Sequence, residues 1–230
     1  MSAPQHASRS RLRWWALGAL GVVVVAALVI IVVRIYAPGG ESGDGGGGAP
    51  SVSGRTPSSE STADKVATGC LGGESRDAAM VRDAQQSADH SETGAVEVAA
   101  AFVRWLNQYP YPDDADDVQN SALSADAPTR DLVAFFDTEP DLSGGLVADD
   151  EEYWLSTVSG VYVVEDAEPD RVTASIGTAL VRDGELSPTL KGSITVTVSW
   201  EDDQWTFVRS EGTRTTEDLF AVGIPFGGGC

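Results

Sequence analysis

Clustered carboxylates are the side chains whose type and spacing first suggest chemistry in this 230-residue sequence. Asp113, Asp114, Asp116 and Asp117 fall close together, and hard cations such as Ca²⁺ bind groups of carboxylate oxygens. The stretch lacks the D-x-D-x-D-G spacing and the closing glutamate of an EF-hand. We therefore interpret it as a solvated acidic loop, and we interpret the acidic run 149–152 in the same way.

Histidine and serine patterns offer little for catalysis. A nucleophile needs a neighbouring base, and the only histidine besides His6 is His90, in the polar stretch SADHSET. No G-x-S-x-G elbow occurs. We expect His90 to be a surface or helix-capping residue. A carboxylate pair could do acid–base work, but none stands out among so many acids, so the sequence predicts no catalytic residue, cofactor or metal site.

An apolar segment near the N-terminus predicts a membrane anchor. Residues 14–33 contain no charged side chain, and a helix of that length spans about 30 Å, the thickness of the hydrocarbon layer. Trp14 and Trp15 at one end and Tyr36 at the other are typical of membrane interfaces. The run is longer than that of a cleavable signal peptide, and no A-x-A site follows it. We predict a retained transmembrane helix over residues 14–36.

Basic residues predict how this helix is oriented. Arg9, Arg11 and Arg13 precede it, whereas only Arg34 lies at its other end, and Lys and Arg favour the cytoplasmic side. Residues 1–13 are therefore predicted to be cytoplasmic, and the chain after residue 36 extracytoplasmic, on a protein of the plasma membrane. Residues 37–68 are rich in Gly, Ser and Pro and predict a flexible linker with a reach of about 30 Å.

The predicted external part is strongly acidic. The chain has 15 basic and 35 acidic residues, and since four of the basic and none of the acidic ones lie in the first 36, the remainder carries 11 against 35, or −24. Such a surface repels nucleic acid, so we expect no nucleic-acid partner. High solubility is the simpler interpretation, and a basic partner is the alternative.

Cys70 and Cys230 are the only cysteines. An oxidising exterior and an even count favour a disulfide between them, which would contribute about 2–5 kcal/mol by restricting the unfolded chain. The alternative is two free or intermolecular thiols. With one histidine outside, they cannot supply four N/S ligands for structural zinc.

Helical patterns come first in the predicted domain, residues 69–230. The stretch GAVEVAAAFVRWLNQYP predicts an amphipathic helix that begins near Thr93 and ends before Pro110, with Glu97, Ala101, Arg104 and Gln108 on the side away from the core. A more polar helix, packing loosely, is predicted within SRDAAMVRDAQQSA. A third is predicted in DAPTRDLVAFFDT, with Asp126 as its cap and Pro128 in its first turn.

The periodicity then changes to that of strands. SGVYVVED, RVTASIGTALVRD, GSITVTVSW and QWTFVRSE predict four strands, and their short connections imply antiparallel neighbours. In the third, Ile194, Val196 and Val198 share a buried face, while Thr195, Thr197 and Ser199 are predicted to face water. The fold class is α+β, with helices packed on a curved four-stranded antiparallel sheet.

This order of elements resembles the nuclear-transport-factor-2-like fold. The resemblance rests on VEVAAAFVRWL followed by VTASIGTALV and by the hairpin TVTVSWEDDQWTFV, and it implies a bent sheet that wraps helices into a cone. Membrane-anchored domains of this shape are similar to assembly subunits of conjugation and type IV secretion machines, and to actinobacterial-type exported proteins. The resemblance does not select a role, because this fold hosts enzymes, binding modules and scaffolds alike.

Two apolar sets leave alternatives open. Eight aromatic residues are interpreted as core, with a ligand cavity as the alternative: Trp105, Tyr109, Tyr111, Trp154, Tyr162, Trp200, Trp205 and Phe207. The apolar end DLFAVGIPFGGGC either docks on its own domain or contacts another protein.

The leading hypothesis is a membrane-anchored, non-enzymatic interaction or scaffold domain with protein partners, in an envelope assembly of the secretion or conjugation type. The alternative is a small-ligand binder or cavity enzyme.

Overall fold

The computed structural model describes residues 65–148, 150–212 and 214–230. The predicted transmembrane helix 14–36, with Trp14, Trp15 and Tyr36, lies outside these ranges, as do Arg9, Arg11 and Arg13 and most of the predicted linker 37–68. Within the described residues, the helices are too short or too polar to cross a bilayer.

Helices precede a largely antiparallel sheet along the described chain. The helices are α1 (Ala78–Ser87), α2 (Glu92–Leu106), α3 (Ala115–Ser121), α4 (Leu132–Phe136) and α5 (Thr216–Val222), and the strands are β1 (Gln108–Tyr109), β2 (Tyr153–Glu168), β3 (Arg171–Arg182), β4 (Glu185–Glu201), β5 (Gln204–Glu211) and β6 (Ile224–Pro225). The predicted α+β class is therefore confirmed.

Helix α2 lies at the centre of the domain. It begins where Ser91 accepts a hydrogen bond from the amide of Gly94, as an N-cap serine does, and every residue from Gly94 to Leu106 is buried. The predicted helix is confirmed, but the predicted exposed side is wrong, because Glu97 and Arg104 are 2% and 1% exposed. Chain from before the helix covers that side.

The guanidinium of Arg104 holds this covering segment, residues 65–76, by its main chain. It donates to the carbonyl oxygens of Gly73 at 2.8 Å, Ser75 at 3.1 Å and Gly69 at 3.4 Å. Burial, with a smaller contribution from the charge of Arg76, lowers the pKa of Arg104 to about 10. The side chain therefore remains a cation at neutral pH, and the three carbonyls compensate its lost hydration.

Helix α1 is more deeply packed than predicted. Asp77 caps it by accepting from the amide of Met80 at 2.9 Å, and Met80, Val81 and Ala84 are buried in the core. Buried Gln85 donates to the carbonyl of Trp205 at 2.8 Å. The prediction of loose packing is wrong because this helix is wedged between α2 and β5.

The region between α2 and the sheet differs most from prediction. The predicted acidic loop contains α3, whose Val118 is fully buried, and Asp114 accepts from the indole nitrogen of Trp105 at 3.1 Å. The predicted third helix is only the five-residue α4, and Asp131, not Asp126, caps it. The chain after Pro128 remains non-helical until that cap.

The sheet is an antiparallel meander in the order β1-β2-β3-β4-β5, with β6 paired to β2. The four predicted strands are confirmed: β2 and β4 are longer than predicted, β5 has the predicted bounds and β3 ends one residue earlier. The sheet of the described residues has six strands because two short ones join it. Register shifts interrupt the ladder in β2, β3 and β4, and such shifts bend strands.

The outer face of the sheet is covered, which the alternation of the sequence did not predict. Thr195 and Thr197 are each 1% exposed, so the prediction that they face water is wrong. Ser175 and Thr195 form a hydroxyl–hydroxyl hydrogen bond at 2.9 Å across β3 and β4. Helix α5 lies over this face, and a Cβ added at Gly177 would meet the ring of Phe220 at 3.0 Å.

The apolar C-terminal segment docks on its own domain. Leu219 is fully buried, β6 pairs with Val161 and Tyr162 of β2, and Cys230 reaches Cys70 in a disulfide with Cα atoms 5.3 Å apart. Of the two alternatives for this segment, docking is the one that the structure shows.

Replacing Arg104 with leucine is expected to lower the free energy of unfolding by about 2–3 kcal/mol, because three main-chain carbonyls, that of buried Gly69 among them, lose a charged donor. Urea unfolding of the full chain followed by circular dichroism measures the change. The matched control is Arg82→Leu, since Arg82 is exposed and pairs with Asp117 at 3.4 Å on the surface; it should change stability by about 0–1 kcal/mol. Equal effects of the two variants would contradict a stabilising role for the hydrogen bonds between Arg104 and residues 65–76.

Removing the disulfide in the double variant Cys70→Ser, Cys230→Ser should lower the free energy of unfolding by about 2–5 kcal/mol, because the bond restrains 160 residues of the unfolded chain. Thermal unfolding with and without reductant measures this, and reductant should affect only the native sequence. Two thiols that titrate in unreduced protein would rule the bond out.

The ion pair between Glu165 and Arg214 should make stability pH-dependent. Arg214 donates to Glu165 at 2.6 and 2.7 Å, and this bonding lowers the pKa of Glu165 below its ordinary 4.5. A depressed folded-state pKa adds stability that is complete above the unfolded value and is lost as pH falls through the folded value. Glu165→Gln should therefore destabilise by about 0.5–1 kcal/mol at neutral pH, and the difference from native should shrink below pH 4.5.

Urea midpoints across this pH range provide the measurement. Glu211→Gln is the control, since Glu211 pairs with Arg209 at 3.4 Å with both side chains largely exposed, and it should show almost no effect. If Glu165→Gln lowers the free energy of unfolding by the same amount at every pH, the ion pair is not the cause of that loss of stability.

Candidate binding cleft

A cleft of about 400 Å³ opens where β1, α4 and the start of β2 meet. Its walls come from two parts of the chain: β1 with the residues just after it, and the continuous stretch from the end of α4 through the following loop into β2. That volume lies within the range of small-molecule sites in proteins.

Aromatic rings form one wall of the cleft. Strand register brings Tyr109 opposite Tyr153. The rings of Tyr109 and Tyr111 are perpendicular, with centroids 5.3 Å apart, and Tyr111 lies 5.4 Å from Phe136 of α4. The hydroxyl of Tyr111 donates to the carbonyl of Pro140 at 2.7 Å, which ties the wall to the loop opposite. Rings at right angles present both faces and edges to the space between them.

Five carboxylates also line the cleft, and they belong to Asp137, Glu139, Asp141, Asp150 and Glu151. The remaining lining is largely apolar and consists of Pro140, Leu142, Val147 and Ala148, with Ser143. Glu151 pairs with Arg182 at 3.4 Å, and Asp150 accepts from the hydroxyl of Tyr109 at 2.9 Å. Lys, Arg and His are missing from the described lining, so the cleft carries uncompensated negative charge.

Burial and the neighbouring acids raise the pKa values of the three tyrosines in the cleft. Burial, followed by the charges of Glu139 and Asp141, raises the pKa of Tyr111. Burial is also the main cause of the raised pKa of Tyr153, with Tyr111 and Asp141 adding to it. The hydrogen bond to Asp150 raises the pKa of Tyr109. All three remain neutral phenols at physiological pH.

Tyr153 is the buried polar group of the cleft. It is 5% exposed and lines the cavity, and the described residues offer its hydroxyl no hydrogen-bond partner. The buried, unpaired side-chain atoms of the described residues do not include this oxygen, so it is accessible from the cleft and can bond to solvent or to a bound molecule.

His90, considered in the sequence as a catalytic candidate, lies away from this cleft. Its ring stacks on Trp200 with centroids 4.2 Å apart, and Nε2 lies 3.0 Å from the carbonyl of Pro169 and 2.9 Å from Asp170. It is a surface residue, as predicted, and the cap of α2 is its neighbour Ser91.

The acidic runs singled out in the sequence separate in the structure. Asp113, Asp114, Asp116 and Asp117 lie at or near the start of α3, whereas Asp150 and Glu151 enter the cleft. Among the described residues, no three of His, Cys, Asp and Glu are arranged to hold a metal ion.

The aromatic set also divides. Its members Trp105, Tyr162, Trp205 and Phe207 are buried, as the core interpretation predicted. Tyr109 and Tyr111 pack against the core and also line the cleft, so each of the two interpretations holds in part for them. The sequence did not indicate where the cleft lies. Its one local signal is the pair of tyrosines in QYPYPDD, where prolines interrupt a strand-like pattern.

Comparison of the chain with known protein families, curated proteins and solved structures finds no match.

Proposed function

We propose that this protein is a single-pass membrane protein whose extracytoplasmic domain is a non-catalytic interaction domain, acting in an envelope assembly of the secretion or conjugation type. The apolar segment 14–33, the arginines before it and the Gly/Ser/Pro linker support the anchoring. The order of helices and strands supports the cone-like fold to which the sequence is similar.

The filled interior of the domain is the observation that carries an interaction role. Phe102 of α2 stacks on Phe207 of β5 with centroids 3.8 Å apart, and Trp105, Ile176 and Leu180 are essentially inaccessible. A ligand could enter between helix and sheet only by displacing packed side chains, which costs several kcal/mol. Contacts with other molecules are therefore made from outside the core.

Binding of a small ligand is the second candidate, and the cleft beside Tyr153 favours it. This space lies at the rim of the sheet, where its walls are half-buried tyrosines and exposed acids. A membrane-tethered domain can bind a small molecule there and still act as an interaction domain.

Labelling of intact cells tests the orientation. The two lysines, Lys65 and Lys191, both follow the predicted anchor, and a membrane-impermeant amine reagent should modify them while leaving the N-terminal amine unmodified. Mass spectrometry of the recovered chain locates the label. A label found only at the N-terminus would mean that the N-terminus, and not the domain, lies outside the cell, and it would refute the proposal.

Crosslinking in the native membrane tests the interaction role. A reagent attached at Lys191 should join the chain to the same envelope proteins that co-purify with it from membranes. Arg171→Lys adds an amine near the β2–β3 turn, at the other end of the sheet, and provides a second crosslinking position that should report the same partners if the contact is extensive. Repeated recovery of the uncrosslinked chain alone would contradict an interaction role.

A further inference from the structure

The cleft combines two features that together select a type of ligand. Its aromatic wall offers the faces of Tyr109 and Tyr111 at an interplanar angle of 89°, and aromatic faces attract cations through their quadrupole. Five carboxylates also line it, and among them Asp137, Glu139 and Asp141 form no ion pair with another described residue. Both features favour positive charge and disfavour anions.

The type of cation follows from how these groups are arranged. A metal ion needs several oxygens converging on one point, and the described carboxylates show no such group. They are instead distributed around a space of about 400 Å³ with rings between them. An organic cation fits this arrangement, because its apolar part contacts rings while its charge is shared among several acids.

Tyr153 adds an independent observation. The residue lines the cleft and is 5% exposed, and its hydroxyl has no hydrogen-bond partner among the described residues. A neutral phenol oxygen accepts an N–H bond, so a primary ammonium would satisfy it, whereas a quaternary ammonium has no N–H to donate.

We propose that this cleft binds an alkylammonium group, supplied either by a free amine or by a lysine side chain of a partner protein. The proposal specifies the ligand class of the cleft-binding role described above and does not depend on the orientation of the chain in the membrane. Carboxylates balance the charge, Tyr109, Tyr111 and Phe136 surround the alkyl groups, and Tyr153 distinguishes primary from quaternary ammonium.

Calorimetric titration of the full chain in a neutral sugar detergent tests this. The probes are choline, N-acetyl-lysine methylamide and, as uncharged control, 3,3-dimethylbutanol, which has the shape of choline without its charge. At least one cationic probe should bind saturably, at one site and more weakly as salt increases, while the alcohol should not. Saturation by choline alone identifies a free quaternary amine as the ligand, and saturation by the lysine derivative alone identifies a protein side chain.

Substitutions connect the binding to the cleft. Tyr111→Leu and Asp141→Asn should each weaken binding of the cationic probe about three- to tenfold. Tyr153→Phe should weaken the lysine derivative by a similar factor and leave choline unchanged. Asp202→Asn removes the same charge in the β4–β5 turn, at the opposite end of the sheet from Tyr153, where a positive φ of 50° suits asparagine, and should have no effect.

Three results would overturn the proposal: no saturable heat from either cation, binding of the neutral alcohol as tight as that of choline, or equal losses in Asp141→Asn and Asp202→Asn. Circular dichroism of each variant confirms that it is folded. None of these results bears on labelling at Lys65 and Lys191, so failure here leaves the membrane topology intact.

Discussion

The burial of α2 on all sides is the constraint on which the rest of the domain depends. One side of the helix is apolar and packs on the sheet, but the other carries Glu97 and Arg104, and burying a charge is costly unless polar groups surround it. Residues 65–76 supply those groups through main-chain carbonyls to Arg104 and the amide of Thr68 to Glu97 at 2.9 Å. The helix can occupy the centre only when this segment is in place.

The C-terminal segment covers the outer face of the sheet, as residues 65–76 cover one side of α2, and these two segments contact each other. The C-terminal segment lies on the outer face, and its main chain pairs with the first segment, with the amide of Gly227 donating to the carbonyl of Ala67 at 2.9 Å. Thr157 of β2 lies at the junction, where its hydroxyl donates to the carbonyl of Gly69 at 2.8 Å. A Cβ added at Gly229 would come within 2.4 Å of Thr157, so only glycine allows this approach. The disulfide therefore joins two chain segments that already contact each other through their main chains.

The sequence predicts what depends on neighbours along the chain. The period of α2 and the alternation of β3 and β4 were sufficient for element type, and the short connections were sufficient for antiparallel order. The burial of Arg104 and of Thr195 could not be predicted, because the groups that cover them lie about 30 residues before the first and 20 after the second. Helix α3 was missed for a related reason, since Asp114 at its start is fixed by Trp105 of another helix.

The cleft could not be predicted for the same reason, because residues distant in the sequence form it, and its composition bears on function. Each of its two contributing segments, taken alone, is an ordinary acidic or tyrosine-containing loop. Folding brings like charges together and holds Glu139 at a φ of 50°, a region that non-glycine residues adopt at some cost. Both features oppose folding, and a bound cation would offset the repulsion. Local conflicts of this kind concentrate at functional sites, because selection for binding retains what selection for stability alone would remove.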